Sequence, residues 1–199
     1  MADLVSARVW DVLVAGAGPA GCAAALYTAL GGKSVLVLEK RAVGGGMLFS
    51  DAITDWPGEG APIDGIALGE RMRRQAEKAG AVFRYGEMTG ICLSGHPFCH
   101  TAGEVHTAVF SGTPAPDGTR KQKKILWKTL ILSTGSPPAA VCPYLSLSPE
   151  GTIPTDDRCR TAVPHIYAAG ACRENACRRI VTACADGYRA AQDILQNKR

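Results

Sequence analysis

The chain has 199 residues, 46% of them hydrophobic and 20% charged, with a net charge of +4. A chain of this size buries a full core without disulfide or metal staples. No apolar run reaches the ~20 residues of a membrane span, and so mild a positive charge supports neither a nucleic-acid nor a membrane role. Met1 to Trp10 carries Asp3 and lacks a long apolar run closed by small residues, so a soluble cytoplasmic protein is expected.

The run RVWDVLVA, Arg8 to Ala15, is nearly continuous in apolar, β-branched residues and suits the middle of a parallel sheet. It enters GAGPAG, Gly16 to Gly21, then an alanine-rich helix, Cys22 to Leu30, stopped by Gly31 and Gly32. A second strand, Ser34 to Leu38, closes on Glu39. In this strand, glycine turn and helix, Gly16 permits the turn, Gly18 lets a pyrophosphate approach the backbone, and Gly21 lets the helix sit close to the strand. The helix N-terminus offers free N–H groups to phosphate, and Glu39 stands where a carboxylate can accept hydrogen bonds from ribose hydroxyls. The pattern predicts dinucleotide binding.

A glycine-rich loop, Val43 to Gly58, precedes an amphipathic helix, Asp64 to Lys78, whose arginines face water. Gly80 stops it, and Ala81 to Tyr85 returns as a strand. Residues 88 to 127 alternate between apolar and polar positions. Thr89–Leu93, Val105–Phe110 and Lys124–Trp127 predict a small antiparallel meander. The stretch Thr113 to Lys124 ends in a basic cluster. It reads as an exposed hairpin end or as a docking patch for an acidic redox partner. Thr129 to Ser133 is a further strand leading to Thr134-Gly135, Pro164 to Gly170 is the last one, and Ile180 to Leu195 is the closing helix.

The expected class is therefore α/β: a single Rossmann-like domain over residues 1–199 with an attached β meander. Its two segments, 1–135 and 151–199, are joined by the fifteen residues Ser136–Glu150. That connector is too short for a second domain of ~50 residues or more.

Eight cysteines, at 22, 92, 99, 142, 159, 172, 177 and 184, never form Cys-x-x-Cys, so neither a zinc ribbon nor a thioredoxin-like pair can be assigned. Cys22, Cys92 and Cys99 read as small buried hydrophobes. Cys172 and Cys177, in CRENAC, are the candidate redox thiols, because Arg173, Arg178, Arg179 and a following helix N-terminus would favour thiolate. His96, His100, His106 and His165 show no metal-ligand spacing, and no metal site is expected.

Taken together, these motifs resemble the flavoprotein disulfide reductases, most closely the low-molecular-weight thioredoxin reductases. GAGPAG with Glu39 resembles their first FAD fingerprint. Gly45-Gly46-Met47-Leu48 and Asp55-Trp56-Pro57-Gly58 resemble their Gly-Gly-Gln-Leu loop and Glu-Asn-Trp-Pro-Gly turn, Ser133 to Pro138 their Ala-Thr-Gly segment, and Tyr167 to Ala191 their closing segment. The resemblance implies FAD as cofactor. The residues it implies for binding are Gly16, Gly18, Pro19, Ala20, Gly21, Glu39, Lys40, Gly45, Gly46, Met47, Leu48, Asp55, Thr134, Gly135, Gly170, Ala171, Arg178, Arg179 and Ile180.

Departures from the pattern shape the expected activity. The family inserts a nicotinamide-binding domain with its own glycine fingerprint and a Cys-x-x-Cys between the two FAD segments, and this chain has neither there. Ala171 stands where the family has an FAD-bonding aspartate, Arg179 where it has glutamine, and Met47 replaces a glutamine with a less polar flavin contact. Beside Arg178, which matches the family arginine, Arg179 would stabilise an anionic reduced flavin. The expected function is an FAD oxidoreductase that exchanges electrons with a ferredoxin- or thioredoxin-like protein or a thiol/disulfide partner. The alternative is an FAD-binding electron-transfer or structural subunit without turnover of its own. Related reductases are homodimers, so the resemblance also implies a dimer.

Overall fold

A computed structural model describes residues 8–95, 103–112, 121–135 and 144–196. Its elements are β1 (Val9–Ala15), α1 (Pro19–Leu30), β2 (Val35–Glu39), α2 (Gly65–Lys78), β3 (Val82–Tyr85), β4 (Glu87–Cys92), β5 (His106–Ser111), β6 (Gln122–Leu132), β7 (Ile166–Ala168) and α3 (Ile180–Gln196). Short 3-10 turns cover Gly45–Phe49 and Gly170–Cys172. Helix α1 begins three residues before the predicted start because Pro19 is well suited to the first helical turn. Helix α2 begins after Asp64, whose carboxylate accepts the Ala67 N–H at 2.9 Å.

The described strands form one seven-stranded sheet of an α/β fold, in the order β3-β2-β1-β6-β5-β4 with β7 paired to β6. Pairs β1–β2, β2–β3, β1–β6 and β6–β7 are parallel, while β4–β5 and β5–β6 are antiparallel. The sequence predicts two strands, Lys124–Trp127 and Thr129–Ser133. The structure merges them into β6, because nothing at Lys128 breaks the chain and its ammonium leaves the sheet to meet Asp11 at 2.8 Å. One edge of β6 is shared: its first half pairs with β5 and its second with β7, while its other edge follows β1. The meander is thus an antiparallel extension of the main sheet.

The burial pattern records this change. Ile125 and Trp127 are buried in alternation with exposed or half-buried neighbours, as on a sheet covered on one face, whereas Leu130, Ile131 and Leu132 are all 0% exposed and covered on both. The core splits across the sheet with period two. Val12, Val14, Val35, Val37 and Ile131 pack under Ala24, Ala25, Ala190 and Ile194 of the helices. Leu13, Leu36, Trp127, Leu130 and Leu132 pack with Ile153 and Ile166 on the other face. Each fully buried Val or Leu contributes roughly 1.5–3 kcal/mol. The alanines of α1 bring α3 close: a Cβ on Gly187 would collide with the Ala20 carbonyl oxygen.

The predicted basic stretch lies mostly outside the described residues, as do Cys99, Cys142, His96, His100 and connector residues 136–143. Its described end, Lys121 to Lys124, is exposed at the start of β6. His106 is buried, with Nδ1 accepting the Ser94 N–H at 3.0 Å; burial and the nearby His165 bring its pKa down to about 4. Among the described residues no group of three metal-ligating side chains exists, and no helix is long and apolar enough to cross a membrane.

Candidate cofactor-binding site

Four of the parallel strands, β2, β1, β6 and β7, end on one edge, at or just before Glu39, Gly16, Ser133 and Ala169. Backbone bonds stitch these ends together: Gly16 N–H to Leu38 O at 2.8 Å, Ser133 N–H to Ala15 O at 2.8 Å, and Ala169 N–H to Leu132 O at 2.9 Å. The Ser133 hydroxyl donates within the same junction, 2.9 Å from Ala15 O and 2.8 Å from Gly16 O. Gly16 adopts φ +99, and a Cβ there would strike the Ser133 carbonyl, so glycine is required both by conformation and by contact.

Outside this edge lies a cavity of about 1000 Å³, the place where open α/β sheets bind ligands. Every binding residue named from the sequence lines it except Gly21. A Cβ on Gly21 would collide with the Gly16 carbonyl oxygen, which gives it the expected packing role of holding α1 against the turn. Two other glycines have a different reason. Gly18 has φ −74, and a Cβ there would meet nothing nearer than Gly45 Cα at 3.8 Å; around Gly46 there is nothing within 4 Å. No protein atom forbids a side chain at either position, and both face the cavity. The first bond of α1 is Cys22 N–H to Gly18 O at 2.9 Å, so the N–H groups of Ala20 and Gly21 precede the helical ladder. Bare glycine walls and a helix N-terminus fit the diphosphate of a dinucleotide such as FAD.

The charged groups are arranged around this space. Glu39 accepts the Ala17 N–H at 2.7 Å through Oε2 and the Arg41 N–H at 2.8 Å through Oε1, which locks the carboxylate at the end of β2. Lys40 pairs with Glu87 at 2.6 Å. Asp55 and Arg179, both lining the cavity, approach to 3.4 Å; both are exposed, so the pair contributes little energy. Arg179, expected from the sequence to stabilise an anionic reduced flavin, thus also has a carboxylate beside it. Arg178 also lines the cavity and is exposed. Met47 is 4% exposed and anchors the glycine loop against Ile53, Ile63 and Leu68.

The two candidate thiols have different surroundings. Cys177 is exposed on the cavity wall. Cys172 is 1% exposed and absent from that wall, with its Sγ 3.2 Å from Leu132 O and 3.4 Å from Ala169 O. Burial pushes its thiol up to about 11, opposite to the lowering expected from flanking arginines. Arg173, one of the flanking arginines, is paired with Asp186 at 2.8 Å. Burial also raises Cys22 to about 12 and Cys184 to about 11. Cys22 is buried as expected, whereas Cys92 is only half-buried.

Sequence reasoning did not name Arg41, Ser133 and Ala169 on the wall or Asp186 behind it. Ser133 adjoins the named Thr134 and Ala169 the named Gly170, so both could have been found by adjacency. Asp186 could not, because its contacts with the wall segment, at Gly170 and Arg173, lie 16 and 13 residues away in sequence.

Comparison with known proteins agrees with this geometry. The family Pyridine nucleotide-disulphide oxidoreductase matches residues 10–145. Thioredoxin reductase of Treponema pallidum (strain Nichols) is 32% identical over 133 residues, covering 67% of this chain and 43% of that protein, so the chain spans less than half of this relative's length. A thioredoxin reductase structure from Gloeobacter violaceus superposes with TM-score 0.78 at 19% identity, covering 96% of each chain. A ferredoxin-flavin thioredoxin reductase from Clostridium acetobutylicum superposes with TM-score 0.73 at 14% identity, covering 94% of this chain and 97% of that one. At such identities the structural likeness speaks to fold, and that fold is the Rossmann-like one expected from the motifs. On the sequence match over most of its length, the chain belongs to the pyridine nucleotide-disulphide oxidoreductase family.

Proposed function

We propose that this chain is an FAD-binding oxidoreductase of the thioredoxin reductase type that exchanges electrons with a protein or a thiol/disulfide partner. The observation that carries the reading is the cavity wall at Gly18 and Gly46, kept free of side chains where no protein atom demands it. Gly16, Gly18, Pro19, Ala20 and the glycine loop Gly45-Gly46 would hold the diphosphate, with Gly21 holding α1 close behind them. Glu39 and Lys40 would hold the ribose of the adenosine half. Met47, Leu48, Asp55, Thr134, Gly135, Gly170, Ala171, Arg178, Arg179 and Ile180 would surround the flavin half. Bound FAD supplies the capacity to accept and donate an electron pair, and the residues bind, orient and shield it.

The absence of a nicotinamide domain is part of this proposal. Between β6 and β7 the described residues 144–163 lie on the sheet, with Ile153 buried at 1% and Tyr144, Leu145, Leu147 and Val163 packed beside it. They form no second nucleotide fold, and a direct nicotinamide donor has no binding domain at that point of the chain. The basic end of β6 is a poor docking point for a replacement donor. An eleven-residue strand separates it from the cavity, a distance of roughly 30 Å at ~3.3 Å per residue.

A second reading, an electron-transfer or structural flavoprotein subunit without its own turnover, is favoured by the burial of Cys172. Among the described residues only Cys177 offers a thiol on the cavity wall. Anaerobic titration of the purified protein tests both readings. A flavin spectrum that dithionite or reduced ferredoxin bleaches and NADPH does not supports a partner-fed flavin, and rapid bleaching by NADPH would overturn it. Loss of disulfide turnover in Cys177→Ser favours the first reading, and absence of turnover in the wild type favours the second.

A further inference from the structure

Helix α3 carries a carboxylate, Asp186, in its interior at 5% exposure. A buried charge is tolerated only when its oxygens are well partnered. Its partners here come from two parts of the fold. Asp186 Oδ2 accepts the Gly170 N–H at 3.2 Å, and Oδ1 accepts Arg173 Nη1 at 2.8 Å and Arg189 Nη1 at 3.3 Å. Arg173 continues the chain of contacts, with Nε 3.0 Å from Thr155 Oγ1.

Gly170 is the critical contact. It adopts φ +74, and a Cβ there would lie 2.9 Å from Ala20 Cβ and 3.7 Å from Ala183 Cβ. It is therefore wedged between the first turns of α1 and α3, and Ala20, Gly170, Ala171 and Ala183 all line the cavity. The neighbouring methyl of Ala171 offers no acceptor that could hold this turn. The hydrogen bond from Gly170 to Asp186 reaches this wall from behind.

We infer that Asp186 is a positioning residue of the cofactor cavity: it fixes the Gly170–Ala171 wall and ties it to Arg173 and Arg189 behind it. The inference rests on the flavin reading above. It also gives Arg173 a structural place, between Asp186 and Thr155. Asp186 never touches the cavity space itself, so its effect passes through Gly170.

Asp186→Asn in the full chain tests this, with Asp193→Asn as control. Asp193 is an equally buried carboxylate on the same helix, bound by Arg158, Arg160 and Tyr167 away from the cavity. Three quantities are measured: the melting temperature of the FAD-free protein, the FAD dissociation constant by fluorescence quenching, and the visible band of the bound flavin. Asp186→Asn is expected to weaken FAD binding about tenfold and to move the flavin band. Asp193→Asn is expected to lower the melting temperature while keeping FAD affinity within about twofold of wild type. Wild-type affinity in Asp186→Asn, or equal loss in both variants, would overturn the positioning role alone. A wild-type protein that takes up no FAD would overturn the flavin reading and this inference with it. If Asp186→Asn does not fold, Arg173→Gln decides: about threefold weaker FAD binding supports the role, and unchanged binding overturns it.

Discussion

The two edges of the parallel strands use polar groups in opposite ways. At the N-terminal edge a smaller cavity of about 320 Å³ is lined by Asp11, Lys128, Arg160 and His165 among others, and its charges largely satisfy one another. Asp11 meets Lys128 at 2.8 Å and the Ser34 hydroxyl at 2.7 Å. Asp193, 1% exposed, receives Arg160 at 2.5 Å, Tyr167 at 2.8 Å and Arg158 at 3.1 Å. At the C-terminal edge the strand ends present glycine and alanine to the larger cavity, and the Ala20 and Gly21 N–H groups precede the helical ladder of α1. Groups that close on each other stabilise the fold, whereas groups left open at a strand end are available to a ligand.

The comparison is tested most sharply by two glycines of the same turn. Gly18→Val is expected to weaken FAD binding by about a hundredfold or more with little change in the melting temperature of the FAD-free protein, because the added carbons enter only the cavity. Gly21→Val is expected to destabilise the protein itself by about 3 kcal/mol, because its side chain meets the Gly16 backbone. Flavin titration and thermal melts on both variants would break the comparison if the two effects were exchanged or equal.

At the opposite edge, Asp193→Asn is expected to lower the melting temperature by roughly 5 °C. Differential scanning calorimetry checks this, and an unchanged melt would show that the closed charge network contributes nothing.

The smallest effect is the acid limb of stability. Burial opposes ionisation of Asp11, but bonds from Lys128 and Ser34 outweigh it and bring the carboxyl down to about 2. Burial also opposes ionisation of Asp193, and bonds from Arg160, Tyr167 and Arg158 hold it below its ordinary value. Both groups therefore stabilise the fold above the ordinary carboxylate pKa of about 4, and this contribution is lost as the pH falls below that toward 2. Urea melts across this range should show the decline in wild type and a shallower one in Asp193→Asn.

Much of this architecture is legible locally. GAGPAG between an apolar run and an alanine-rich segment specifies strand, turn and helix through steric and capping rules acting over a few residues, and Glu39 follows at the end of the next strand. The cavity lining was equally readable, because strand ends and glycine loops reveal themselves by composition. The continuity of β6 was not, since Lys128 in a strand depends on Asp11, which lies far away in the sequence.

The sequence by itself determined the turn, the order of strands and helices, and the glycines that keep the binding edge open, because those follow from backbone freedom and short-range periodicity. Only the tertiary structure decided which charges are spent. It buried Cys172 beneath the last turn, tied Arg173 to Asp186, and joined meander and parallel sheet through one strand. Each outcome is a contact between segments whose separation along the chain hides their proximity, and burial and hydrogen bonding act on proximity alone.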